Sequence, residues 1–196
     1  MNDRQWLAEY FERYRRSLAQ PAVTDLLIDV KALFQQAHTQ ARKVIIAGNG
    51  GSATIAGHCA VDLTKNAGIR CVTFNQPELV TCLANDYGYE HWLAKALELY
   101  ADDGDVVVLI SSSGKSPNML RAAACATARR LPLVTFTGFD PENPLRARGQ
   151  INVWVDSRAY NIVEMTHQIW LLAVCDLLIG SAEYPASAAQ PAMIAP

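Results

Sequence analysis

Two stretches of this 196-residue chain crowd glycines and hydroxyls into places where an apolar strand pattern gives way to a helix pattern. The first is Val44-Ile45-Ile46-Ala47-Gly48-Asn49-Gly50-Gly51-Ser52, a β-rich run that breaks into a glycine turn and ends in a serine able to cap a helix. Glycine lets the backbone turn tightly and approach a ligand closely. The unpaired N–H groups of the helix start, together with Ser52, then offer a place for an anion. The second is Val106-Val107-Val108-Leu109-Ile110-Ser111-Ser112-Ser113-Gly114-Lys115-Ser116, where Ser116 is placed to cap the next helix. Two such cradles in one small chain point to a phosphorylated ligand. Neither is a nucleotide loop: the first lacks Gly-Lys-Ser/Thr and departs from GxGxxG, and the second has Gly114-Lys115-Ser116 without the leading glycine.

Further along, His58 and Asp62 stand four residues apart and share one face of the expected helix. That spacing suits a pair of divalent-metal ligands or a base with its orienting partner; an ordinary contact on the helix surface is the bland alternative. His38 and His91 have no motif around them and read as surface residues.

The elements that must position these residues alternate. Strands are expected at 43–47, 70–74, 105–110, 132–137 and 151–155, with helices at about 53–66, 78–84, 89–101, 117–130 and 161–180. Such alternation implies a three-layer α/β sandwich around a five-stranded parallel sheet, with ligands at the carboxyl ends of the strands. Both loops fall at those ends. Residues 1–40 read as a helical hairpin, with Trp6, Leu7, Tyr10, Phe11, Tyr14 and Leu18 at helical spacing, a break at Pro21, and a second helix from about Thr24 to Gln40. A hairpin of this kind reads as a cover packed on the domain or on a partner subunit. Residues 41–182 form the main domain, and 183–196 an Ala/Pro/Ser-rich tail expected to be disordered.

Half of the residues are hydrophobic, enough for a sizeable core, and the net charge of −2 suggests neither a nucleic-acid surface nor a polybasic membrane patch. Phosphate must therefore be held locally. Five scattered cysteines without a CxxC pair fit buried thiols in a reducing compartment. The charged start lacks the apolar stretch of a signal peptide, and the apolar run from Ile169 to Gly180 is short for a bilayer and carries Asp176. A cytoplasmic enzyme or binding protein, without a membrane partner, is the expectation.

At this point the two loops, with Ala84-Asn85-Asp86-Tyr87-Gly88 and Thr135-Phe136-Thr137-Gly138, resemble the sugar isomerase (SIS) domain, and within it the phosphoheptose isomerase branch. The resemblance covers most of residues 1–180. It implies a flavodoxin-like strand order, a homotetramer with active sites between subunits, and isomerisation of sedoheptulose 7-phosphate to D-glycero-D-manno-heptose 7-phosphate. It also implies that Ser52, Ser111, Ser113 and Ser116 hold the phosphate, with Asn49, Gly50, Gly51 and Ser112 in support and Asp86 facing the sugar. Members carry His and Glu as zinc ligands at the positions of His58 and Asp62, the acid serving also as base. On the last helix the family has a Gln, a His three residues later, and a catalytic His five further on. If one residue is inserted here, Glu164 takes the Gln position, His167 the middle one and Leu172 the last; without the insertion, Val163 and Leu171 take the outer two. In either alignment the terminal histidine is absent.

The expected metal set is thus zinc on His58, Asp62 and Glu164, with Asp62 or Glu164 as base and His167 or Gln168 compensating one turn away. An isomerase with altered acid–base residues is the leading reading. A non-catalytic sugar-phosphate binder, or an adaptor of the same fold that binds the replication initiator, is the alternative.

Overall fold

A computed structural model describes residues 1–184. Its five strands are β1 (Val44–Gly48), β2 (Cys71–Val72), β3 (Val106–Ser111), β4 (Leu133–Thr137) and β5 (Ile151–Trp154). They form one sheet in the order β2-β1-β3-β4-β5, and every pairing is parallel. The seven α-helices among the described residues are α1 (Asp3–Leu18), α2 (Val23–Thr39), α3 (Gly51–Lys65), α4 (Pro77–Tyr87), α5 (Trp92–Tyr100), α6 (Pro117–Ala128) and α7 (Tyr160–Ile179). The expected α/β sandwich and flavodoxin-like order are therefore present.

The central strands are buried on both faces, as their unbroken apolar runs require. Successive side chains point to opposite faces. Ile46, Val108, Ile110 and Phe136 pack under α2, α3 and α7, while Ile45, Ala47, Val107, Leu109 and Leu133 pack under α4, α5 and α6. The chain leaves β1 for one side of the sheet and returns to β3 on the other. The loops after these two neighbouring strands therefore face each other at the crevice where strand order reverses.

Two elements differ from expectation. The second strand is only two residues long, because Thr73 and Asn75 leave the ladder to bond through side chains. In addition α7 spans 20 residues at a mean hydropathy of 1.6, long and apolar enough in length and composition to cross a bilayer, which the shorter run counted from the sequence was not. It is nonetheless a core helix: Val163, Trp170, Leu171, Val174 and Cys175 are buried under the sheet's helical layer.

The two expected N-terminal helices, α1 and α2, both form, and each packs on α7. α1 starts with a capping box between Asn2 and Gln5. α2 buries Leu27, Val30 and Phe34, whereas α1 leaves Trp6, Leu7 and Phe11 exposed and is tied to α7 by Tyr14 Oη donating to the carbonyl of Asn161 at 3.3 Å. The expected tail lies almost wholly outside the described residues.

Candidate functional site

The first loop is built around a glycine that has no room for a side chain. A Cβ at Gly48 would lie 2.5 Å from Ser52 Cβ, so the start of α3 packs directly on the end of β1. Because β2 is too short to pair with Gly48, the side chain of Asn75 takes the place of a strand. Its Nδ2 donates to the Gly48 carbonyl at 2.8 Å and its Oδ1 accepts from the Gly48 amide at 3.3 Å. Gly50 then adopts φ 54°, a conformation that favours glycine, and hands the chain to the helix. Ser52, expected as a cap, instead lies inside the first turn of α3, and the cap position belongs to Gly50.

The second loop follows the same logic with more hydroxyls. Ser111 and Ser112 are buried, and Ser113 and Ser116 are partly open. Ser116 does occupy the cap position of α6, but its hydroxyl bonds no backbone amide there, which leaves it available to a ligand. Gly114 sits at φ 62°, and a Cβ on it would come within 1.9 Å of Asn143 Oδ1. Asn143, 1% exposed, donates to the carbonyls of Gly138 and Asp140 and accepts from the amide of Arg146. This folds the segment after β4 against the loop.

A third amide joins the two loops. Asn49 Nδ2 donates to Asn118 Oδ1 at 3.0 Å, and Asn118 Nδ2 donates back to Asn49 Oδ1 at 2.9 Å. Tyr89 Oη donates to the same Asn49 oxygen at 3.3 Å, bringing the Asn-Asp-Tyr-Gly segment to the crevice. Asp86 itself is exposed at the end of α4, where its carboxylate accepts from Asn85 Nδ2. Asn75, Asn118 and Asn143 carry no signal in the sequence beyond their adjacency to turns. Only the tertiary pairing reveals them.

The expected acid–base and metal residues divide into two groups. Glu164, on the first turns of α7, lies against the start of α3: a Cβ on Gly51 would be 2.6 Å from its Oε2. The carboxyl is partly buried, and desolvation raises its pKa above the ordinary glutamate value. His58 and Asp62 sit together lower on α3, with Nε2 3.2 Å from Oδ2, and Asp62 also accepts from Asn66 Nδ2 at 3.1 Å. Seven residues separate Gly51 from His58, about 10 Å along a helix axis, so the pair and Glu164 do not share one point. Among the described residues no three His, Cys, Asp or Glu side chains gather to hold an ion. Within one chain the residues expected to hold zinc thus stand as a two-donor pair, His58 and Asp62, and a separate carboxylate, Glu164.

His167 lies inside the core. It is fully buried, and its Nε2 is 3.0 Å from the carbonyl of Thr137. Since a carbonyl only accepts, Nε2 carries the proton and Nδ1 is left without a partner. Burial pushes the imidazole pKa down to about 4, so the ring is neutral near pH 7. Gln168 faces α3 with its amide 3.7 Å from Cys59 Sγ. Leu171 is buried in the core and Leu172 is partly open, and neither can transfer a proton.

The molecule is thus a parallel α/β sheet whose switch-point crevice is lined by one glycine-rich and one hydroxyl-rich loop. A family model described as SIS domain matches residues 9–138. Phosphoheptose isomerase from Colwellia psychrerythraea is 31% identical over 144 residues, covering 69% of this chain and 74% of that protein. The Fusobacterium nucleatum phosphoheptose isomerase is 37% identical over 107 residues, 52% of this chain and 55% of the relative, so the chain spans little more than half of that protein's length. In three dimensions the phosphoheptose isomerase of Neisseria gonorrhoeae superposes with a TM-score of 0.82 at 26% identity, covering 91% of this chain and 100% of that one. The chain belongs to the SIS domain family, in its phosphoheptose isomerase branch. The family match ends before α7, so Glu164 and the leucines lie beyond it.

Proposed function

We propose that the protein isomerises a ketose phosphate to an aldose phosphate, with sedoheptulose 7-phosphate as substrate and D-glycero-D-manno-heptose 7-phosphate as product. The observation that carries this reading is Glu164: a carboxyl with a raised pKa beside a phosphate cradle, in a chain whose relatives are phosphoheptose isomerases. Ser52, Ser111, Ser113 and Ser116 hold the phosphate at the starts of α3 and α6, where no side chain caps the helix. Asn49, fixed by Asn118, offers its second Nδ2 hydrogen to the sugar. Glu164 as carboxylate takes the proton from C1 of the ketose. The C1–H electron pair forms the C1–C2 double bond while the carbonyl pair moves onto O2, giving an enediolate; a proton passes from O1 to O2, and as the C1–O1 carbonyl forms the protonated Glu164 returns its proton to C2. A carboxyl held above its usual range is suited to both directions of this transfer near neutral pH.

The His58–Asp62 pair stands apart from this route within one chain, and no step is assigned to zinc. The protein acts in the cytoplasm as a homotetramer, a reading supported by the exposed aromatic face of α1. A second reading, sugar-phosphate binding without turnover, is favoured by one observation: leucines stand at both positions that the family's terminal histidine can occupy. Incubation with sedoheptulose 7-phosphate, with and without added zinc, while following aldose formation, separates the two. Turnover supports the isomerase. Saturable binding with no aldose under either condition leaves the binder.

A further inference from the structure

One cavity lies away from both loops. It measures about 700 Å³ and is lined by Arg13, Arg16 and Ser17 of α1, by Gln20 just past its end, by Trp154, and by the Asp156–Arg158 turn that leads into α7. That volume falls in the range of small-molecule sites. The cavity opens at the carboxyl end of β5, two strands from β3 and thus about 10 Å across the sheet, and no residue of either phosphate loop lines it.

Its charge is unlike that of the protein around it. The chain carries a net charge of −2, yet three guanidinium groups meet here against the single carboxylate of Asp156. Arg16 has a long contact to Glu12 at 3.7 Å, but Glu12 is already engaged by Arg15 at 2.7 Å. Arg13 and Arg158 form no ion pair among the described residues, and neither does Asp156. Trp154 adds a flat wall whose ring is stacked by Arg146 at 5.0 Å, and its indole N–H is buried without a partner. Arginine forks match the oxygens of a phosphate in paired, charge-assisted hydrogen bonds.

We propose that this cavity is a second anion site, which takes the phosphate group of a phosphorylated small metabolite independently of the crevice between the loops. Arg13 and Arg158 clamp the phosphate from the two walls, with the Ser17 and Gln20 side chains beside them. Occupancy here bears on α7, because Ile162 lines the cavity two residues before Glu164, and Asn161 is bonded to Tyr10 and Tyr14 of α1.

Calorimetric titration of the full-length protein with inorganic pyrophosphate tests this at low ionic strength. In a Ser113→Ala/Ser116→Ala background, which weakens the loop site, the protein is expected to retain one binding event per chain. Adding Arg13→Gln and Arg158→Gln is expected to weaken that event at least tenfold, while Arg4→Gln, a charge change elsewhere on α1, leaves it in place. All three arginines lie on the surface, so these variants should keep the melting temperature of their parent. Absence of the retained event, or equal binding with and without Arg13 and Arg158, overturns the proposal whether or not the protein turns over a sugar.

Discussion

At the scale of single residues, the site rests on two partly open hydroxyls and a carboxyl that is not fully solvated. Ser116 stands at a helix cap yet bonds no amide, and Ser113 is partly open, so both hydroxyls are available to an anion. Ser113→Ala or Ser116→Ala should weaken sugar-phosphate binding by about 1–3 kcal/mol, the worth of a hydrogen bond to a charged group, as read by titration calorimetry. Glu164→Gln should leave that affinity in place and reduce turnover by at least about a hundredfold, because the amide keeps the shape and cannot carry a proton. For the wild type the base is the carboxylate form. Activity should therefore fall as pH drops through the raised Glu164 pKa, with the acid limb of the kcat profile lying above the usual glutamate range. A flat profile down to that range would remove Glu164 from the mechanism.

At the scale of elements, the parallel pair α3 and α7 converts sequence into geometry. Gly51 opens one helix and Glu164 lies in the first turns of the other, and the two touch only because residue 51 has no side chain. Gly51→Ala should displace the carboxylate and cost most of the activity, with the phosphate affinity changed less, measured as kcat against KM. The contact between α7 and β4 runs through His167, which also makes stability depend on pH. Its folded pKa of about 4 lies below the ordinary value near 6.5. The unfolded chain therefore binds the extra proton between those values. Stability should be complete above about pH 6.5 and should decline towards pH 4, by up to about 3 kcal/mol. Denaturant melts across that window check the slope, which should shrink in His167→Gln.

The strand–helix alternation, the two N-terminal helices and both loops were legible because each is written in local periodicity or in glycine and serine clusters. The two-residue β2 was not, since Thr73 and Asn75 reveal their side-chain bonding only once β1 is beside them. The residues that the resemblance named for zinc do not meet within one chain for a related reason: residues that share a helix face or a family column need not converge, and Glu164 lies against Gly51. His167 looked like a site residue from its position on α7, yet the inward turn of that helix decides its burial.

At the scale of the whole molecule, α1 is the least satisfied element. Trp6 and Phe11 are 52% and 62% exposed, and Leu7 lies between them on the chain. An apolar surface of this size is uncommon on a solitary chain. Light scattering at micromolar concentration should give about four times the 21.5 kDa chain mass. Phe11→Asp should shift the protein towards smaller species, whereas a clean monomer for the wild type would count against the assembly.

The amide of Asn75 that stands in for a missing strand also bears on how copies of this chain meet. With β2 reduced to Cys71–Val72, one margin of the sheet offers a neighbouring polypeptide almost no ladder to extend. A sheet that ends in a side chain rather than in a long open strand gives a passing chain little to template on, whether that chain is a folded copy or a nascent one. Contacts between copies are thereby steered towards helix faces such as that of α1, and away from the edge-to-edge growth that leads to fibres.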